Sequence, residues 1–171
     1  YYTVLNGLAS DKIWDIVIDP QGNLWIGTGG GGVSKYDGSP PPKNGPDWRW
    51  ARGVGGDYNI WGYAGHAAPN GDLVTAGGFG SDSVTFGTTT LHNHGGVIRS
   101  DVYITRTDGG GNFLWARGAG GTDYDDAYAV TTDPDGNVYA TGRFRSDTAH
   151  FDPDRLINGG APGTDDIFIC K

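Results

Sequence analysis

Residues 115–144 read WARGAGGTDYDDAYAVTTDPDGNVYATGRF, and residues 50–79 read WARGVGGDYNIWGYAGHAAPNGDLVTAGGF. The two stretches align without a gap at an offset of 65, the difference between Trp50 and Trp115. The same register carries Ser81-Asp82 onto Ser146-Asp147, Phe86 onto Phe151, and DVYITR from Asp101 onto DIFICK from Asp166. A shorter unit precedes them: DPQGNLWIGT from Asp19 aligns with DPDGNVYATG from Asp133, an offset of 114. A fixed internal period across separate motifs is the signature of an array of similar supersecondary units. The chain holds three.

Each unit reads as short strands joined by tight turns. Pro20-Gln21-Gly22 and Pro134-Asp135-Gly136 stand between alternating apolar runs, with Pro at a fixed φ and Gly at a left-handed position. Gly109, Gly110 and Gly111 make the turn of a further hairpin, DVYITRTD-GGG-NFLWARG. The second unit has Ala68 where the others have Asp19 and Asp133, so its first hairpin is expected to be looser. Four short strands per unit with recurring Gly and aromatic residues predict an all-β protein of β-propeller-type blades, each a four-stranded antiparallel sheet. A β-sandwich would not explain the 65-residue period. The expected strands are 13–19, 24–28, 33–37 and 48–52, then 63–67, 73–79, 102–107 and 113–117, then 127–132, 138–144 and 167–171. The corresponding divisions are an N-terminal segment 1–12 and blades 13–52, 53–117 and 118–171.

The stretch NGLASDKIWDIVIDPQGNLWIGTGGGGVSKYDG, residues 6–38, resembles the two-component regulator propeller repeat. It carries the Gly-Leu, Asp-x-x-Gly-Asn-Leu-Trp-Ile-Gly-Thr and Tyr-Asp-Gly elements. Residues 45–171 resemble the bacterial seven-bladed β-propeller repeat, through the 114–144 stretch and DIFICK. The resemblances imply a propeller fold and a bacterial protein at the cell exterior, extracellular or surface-bound, with the periplasm as the other compartment. Neither repeat carries a fixed catalytic set.

Composition narrows the classes further. The chain has 171 residues, of which 32 are Gly; all 20 acidic residues are Asp, and Met is absent. With Glu missing and only one Gln, the strongest helix formers are nearly gone, which excludes a helical protein. A net charge of −8 with dispersed basic residues argues against nucleic acid and anionic membrane surfaces. No apolar run approaches the roughly 20 residues of a membrane-spanning helix, so membrane insertion is not expected. The opening YYTVLNGLAS has neither the charged nor the apolar region of a signal peptide, and a chain without Met is expected to have lost residues upstream. Cys170, the only cysteine, cannot form an internal disulfide.

The third unit ends without an outer strand. YYTVLNG from Tyr1 falls at the position of WARGAGG, so residues 1–5 are expected to complete that blade, in their own chain or in a neighbour. Three blades fall below the four to eight that usually enclose a channel. The chain is then a piece of a longer propeller, a subunit joined by strand addition, or a closed three-bladed ring.

Candidates for chemistry are few. Trp50 with Trp115, and Tyr63 with Tyr128, repeat between units and read as packing residues, and Trp115→Ala is expected to cost about 3–5 kcal/mol. Arg52 and Arg117 repeat as well and read as partners of Asp. Trp61, whose counterpart is Asp126, is a ligand-contact candidate, as are Tyr1 and Tyr2 in the docking strand. Asp123, Asp125 and Asp126 are the calcium candidates, offering hard oxygen ligands. No other cofactor is expected. His92 and His94 form a Gly-flanked pair with no third ligand identifiable for zinc. There is no nucleophile elbow, phosphate loop or Cys beside His, and no Glu for a two-carboxylate glycosidase, so an enzyme is not expected.

The functional expectation is a non-catalytic extracellular propeller module in assembly or adhesion. Its partners would be further copies of itself, joined by strand addition into a ring or filament, or other surface proteins and glycans. The alternative is a periplasmic or surface sensor of a small carbohydrate. The excursions 80–100 and 145–165 are expected to be outward contact loops, and SPPPKNGP at 39–46 a stiff connector.

Overall fold

One turn is used four times. In the computed structural model, which describes residues 13–19, 22–28, 32–36 and 49–171, Gly22, Gly71, Gly111 and Gly136 have φ between 83° and 85°. Each donates its N–H to the carbonyl three residues back, at Asp19, Ala68, Asp108 and Asp133, over 2.9–3.0 Å. In three of the turns the Asp carboxylate also accepts from the Asn four residues on, through backbone and side chain: Asn23, Asn112 and Asn137. At Ala68 these bonds are missing, yet Ala68 N still donates to Asp72 O at 2.8 Å. The turn is therefore as tight as the others. Asn70 replaces the lost acceptor by bonding Asp72, which in turn accepts from Arg106.

Among the described residues these turns and the alternating runs around them make fifteen strands: β1 (Ile13–Ile18), β2 (Leu24–Thr28), β3 (Gly32–Tyr36), β4 (Ala51–Arg52), β5 (Ile60–Ala67), β6 (Leu73–Phe79), β7 (Ser83–Phe86), β8 (Thr89–His92), β9 (Asp101–Thr107), β10 (Phe113–Ala119), β11 (Asp125–Thr132), β12 (Val138–Phe144), β13 (Thr148–Phe151), β14 (Asp154–Ile157) and β15 (Asp166–Cys170). All pairings are antiparallel, and the described residues contain no helix. The fold is all-β. The first sheet runs β1-β2-β3-β4, the second β5-β6-β9-β10, the third β11-β12-β15. The first sheet's last strand is two residues, shorter than the expected 48–52, of which 48 lies outside the described residues.

The excursions are not plain loops. Each folds back as a two-stranded ribbon, β7-β8 and β13-β14. Four-residue strands of β-branched and aromatic residues suffice because each ribbon packs on another strand: β8 on β10, and β13 on β10 of the preceding unit. Gly120 and His150 exchange backbone hydrogen bonds of 3.2 and 2.8 Å where the third unit's ribbon meets the second sheet.

Every first strand carries a bulge, between Ile13 and Asp15, Gly62 and Ala64, and Ala127 and Ala129. The extra residue pushes a backbone carbonyl toward the neighbouring strand. Trp61 O and Asp126 O thereby occupy the side-chain space of Gly77 and Gly142, which explains why these glycines repeat.

The sheets stack face to face, with β5 packed on β1 and β2 on one side and on β11 on the other. Between the second and third sheets lies an apolar layer of Ala76, Val102, Ala119, Ala127, Phe144, Ala149 and Phe168, with Ile104, Val130 and Cys170 at its margin. Between the first and second, Trp25, Trp50, Ala67 and Leu73 pack together, with Trp25 and Trp50 edge to face at 5.5 Å. Trp50 is buried, its ring lying where a side chain on Gly111 would stand. Trp115, its counterpart, is only partly buried. The segments 1–12 and 39–46, hence the expected docking strand and connector, lie outside the described residues. Among the described residues β15 pairs with β12 alone.

Candidate functional site

The interface between the first two sheets is hollow where the next one is filled. At the second interface Val130 and Ala140 face the preceding sheet; 65 residues earlier their counterparts are Gly65 and Thr75. Gly27 and Gly62 remove further volume. The result is a cavity of about 250 Å³, walled by Trp25, Trp50, Tyr63 and Tyr103 with Asp15 and Arg52 among its polar groups. Asp15 Oδ2 accepts the backbone N–H of Gly65 at 3.1 Å, tying the sheets together beside the cavity. Arg52 Nε donates to Gly111 O at 3.1 Å and its guanidinium lies 6.0 Å from the Trp50 ring. Burial pushes the Tyr63 phenol up to about 12, with the Asp126 carboxylate adding to it. Tyr103 is raised by burial too, so both hydroxyls are neutral donors. The cavity thus offers aromatic walls, one carboxylate and one guanidinium, a surface without excess charge.

The sequence candidates fall elsewhere. Trp61 lies on β5 opposite Gly78, with its ring near Gly80, and does not line this cavity. Tyr1 and Tyr2 lie outside the described residues. The three acidic residues diverge rather than converge. Asp125, fully buried, accepts from Ser146 Oγ at 2.7 Å, Gly121 N at 2.7 Å, Arg145 N at 2.9 Å and Ser146 N at 3.2 Å. Asp126 pairs with Arg143 at 2.9 Å, and Arg143 reaches on to Asp165 at 3.0 Å. Asp123 pairs with Arg99. No group of three His, Cys or Asp suited to a metal occurs among the described residues. His92 ends β8, whereas His94 donates its N–H to Asp101 Oδ2 at 2.9 Å, with Nδ1 2.7 Å from the same oxygen. His94 stacks on His150 at 6.1 Å, an association hidden in sequence because the residues are 56 apart and neither repeats. Cys170 is half-buried, its thiol pushed up by burial, which suits packing rather than reactivity.

The other open feature is a face. The register places Val102 and Ile104 on the side of the second sheet that meets the third, and Ile167 and Ile169 on the equivalent side of the third. Val102 is 0% exposed, whereas Ile167 and Ile169 are 78% and 75% exposed. Alternating strands normally set polar residues toward water. Here β-branched apolar residues stand there instead.

Residues 7–30 match the two component regulator propeller family, a propeller repeat. No curated protein matches the chain. Among the described residues no helix is long and apolar enough to cross a membrane.

Proposed function

We propose that this chain, built of β-propeller-type repeats, is a non-catalytic module of the bacterial cell exterior acting in assembly or adhesion. The observation that carries the reading is the outer face of the third sheet, where Ile167 and Ile169 are exposed although the matching face of the second sheet is buried. Exposed apolar area of this kind marks sites of association. The charged groups support the non-catalytic side: Asp125, Asp126 and Arg143 are engaged with one another's neighbours and hold the backbone in place. The test is a double variant, Ile167→Asp with Ile169→Asp, compared with the parent chain for self-association by sedimentation and for adhesion to intact cells. Loss of either activity with an unchanged circular dichroism spectrum is the expected result; parity in both assays refutes the reading.

A second reading, sensing of a small carbohydrate, is favoured by the cavity between the first two sheets. Aromatic walls with a few polar groups suit a compact neutral ring bearing hydroxyls. Gly65→Val refills the hollow, because a Cβ there meets only ordinary contacts at 3.8 and 3.9 Å. Calorimetric titration with monosaccharides should show heat for the parent chain and none for the variant.

A further inference from the structure

The joint between the second and third sheets is fastened, and its counterpart between the first and second is not. Gly120 donates its N–H to His150 O at 3.2 Å, and His150 donates back to Gly120 O at 2.8 Å. An offset of 65 carries this pair to Gly55 and Thr85, which no hydrogen bond joins. The neighbouring strands differ accordingly. β10 runs on to Ala119, beside the clasp, whereas β4 ends at Arg52, two residues short of the matching Val54. Residues 53–55 have left the first sheet, with Gly53 and Gly55 exposed. Val54 and Gly55 border the cavity between the first two sheets, as does Phe86 of the β7-β8 ribbon. The far end of the segment is fixed, because Gly56 packs against Ser81 as Gly121 packs against Ser146.

Glycine at position 55 has no reason in this open arrangement. A Cβ there meets nothing within 4 Å, and Gly55 is not in the positive-φ region. Its clasped counterpart is: Gly120 has φ of 148°, which glycine adopts without steric cost. The fastened conformation therefore explains the residue. What keeps the segment off is the hollow below it. Val130 and Ala140 fill the space under the fastened joint, where Gly65 and Thr75 leave it empty under the open one. A roof over a void has no atoms to pack on.

We propose that residues 53–55 are a flap that closes over the occupied cavity, Gly55 and Thr85 forming the paired bonds that Gly120 and His150 already make. The proposal rests on the reading of the cavity as a binding site and supplies its gate. An occupant gives the flap the packing that Val130 and Ala140 give the next joint, so it binds the closed state better and shifts the population toward it.

Filling the hollow from the protein side reaches the closed state without a ligand. Gly65→Val installs the residue found at position 130, and amide hydrogen exchange by nuclear magnetic resonance on the 171-residue chain reads the clasp. Exchange at the Thr85 amide should be at least tenfold slower in Gly65→Val than in the parent. It should return to the parent rate when Gly55→Ala is added, a change that fits the open flap and not the closed one. Should Gly65→Val fail to fold, Gly65→Ala carries the same comparison. An unchanged Thr85 rate in the folded filled variant overturns the flap, as does slowing that survives Gly55→Ala. A Thr85 amide as protected in the parent as that of His150 overturns it too. Failure of the carbohydrate reading shows separately, as absence of heat when the parent is titrated with monosaccharides, and the exchange rates still judge the flap. Where heat is present, Gly55→Ala alone should weaken binding at least tenfold, and equal affinity overturns the flap.

Discussion

The carbonyl oxygen of Asp126 stands where the side chain of residue 142 would be, so that only glycine fits at Gly142. The bulge between Ala127 and Ala129 drives the carbonyl there, and the second sheet repeats the arrangement with Trp61 and Gly77. Backbone against backbone leaves nothing soft to yield. Gly142→Ala should therefore destabilise by about 3 kcal/mol, near the upper end of overpacking costs, or force the bulge out. Gly65→Ala is the matched control: with open contacts it should be neutral or stabilising by about 0.5 kcal/mol through loss of unfolded-state freedom. Urea unfolding of the two variants measures the contrast.

Asp125 holds the entry to the third sheet. Its four hydrogen bonds come from the backbone of Gly121, Arg145 and Ser146 and the Ser146 hydroxyl, all around a fully buried carboxylate. Asp125→Ala strands those donors, and the expected loss is about 3–5 kcal/mol, as when one partner of a buried polar network is removed. Ser146→Ala removes one donor and should cost about 1–2 kcal/mol. Denaturant midpoints with unchanged slopes check both.

Acid should favour the fold locally around Asp101. Burial pushes this carboxyl up to about 6, against the opposing hydrogen bonds from His94, while an exposed Asp ordinarily titrates at 3.8. The folded state thus holds a proton more tightly than the unfolded chain. This contribution is complete below pH 3.8 and fades as the pH rises through about 6. Its size is on the order of 3 kcal/mol at about 1.4 kcal/mol per pH unit. Asp101→Asn cannot titrate, so the parent and variant stability curves should converge or diverge across that window, and parallel curves would contradict the assignment.

Trp50 and Trp115 occupy equivalent places in the sequence but not in the structure. Trp50 is buried against Trp25 and Gly111, and its Nε1 donates to Gly109 O at 3.0 Å. Trp50→Ala should cost about 3–5 kcal/mol. Trp115→Ala, starting from a partly exposed ring, should cost less. Thermal unfolding of the pair reads the difference, and equal losses would show that Trp115 is covered in solution.

Strand positions were legible because turn chemistry repeats: Asp133, Gly136 and Asn137 announce a hairpin wherever they recur, and strand alternation flanks each one. Even Ala68, which breaks that pattern, sits in the same turn, because its geometry depends on the backbone bonds and on Gly71 rather than on the Asp side chain. The ribbons were harder to see. SVTF and TTLH are four residues each, and a strand that short declares itself only through its packing, here β8 on β10. Gly87 with φ of 62° between them was the available signal. The cavity was illegible for a different reason: it arises from what Gly65 and Gly27 lack, and only the neighbouring interface shows how much side chain is missing. The divergence of Asp123, Asp125 and Asp126 likewise depends on arginines 17 to 24 residues away.

The grip of the β13-β14 ribbon on β10 of the preceding sheet has a consequence for how such an array can grow by duplication. A copied segment holding only the sheet strands would arrive without the hook that fastens it to its predecessor. A heritable step must therefore include the ribbon, each newcomer bringing its own clasp.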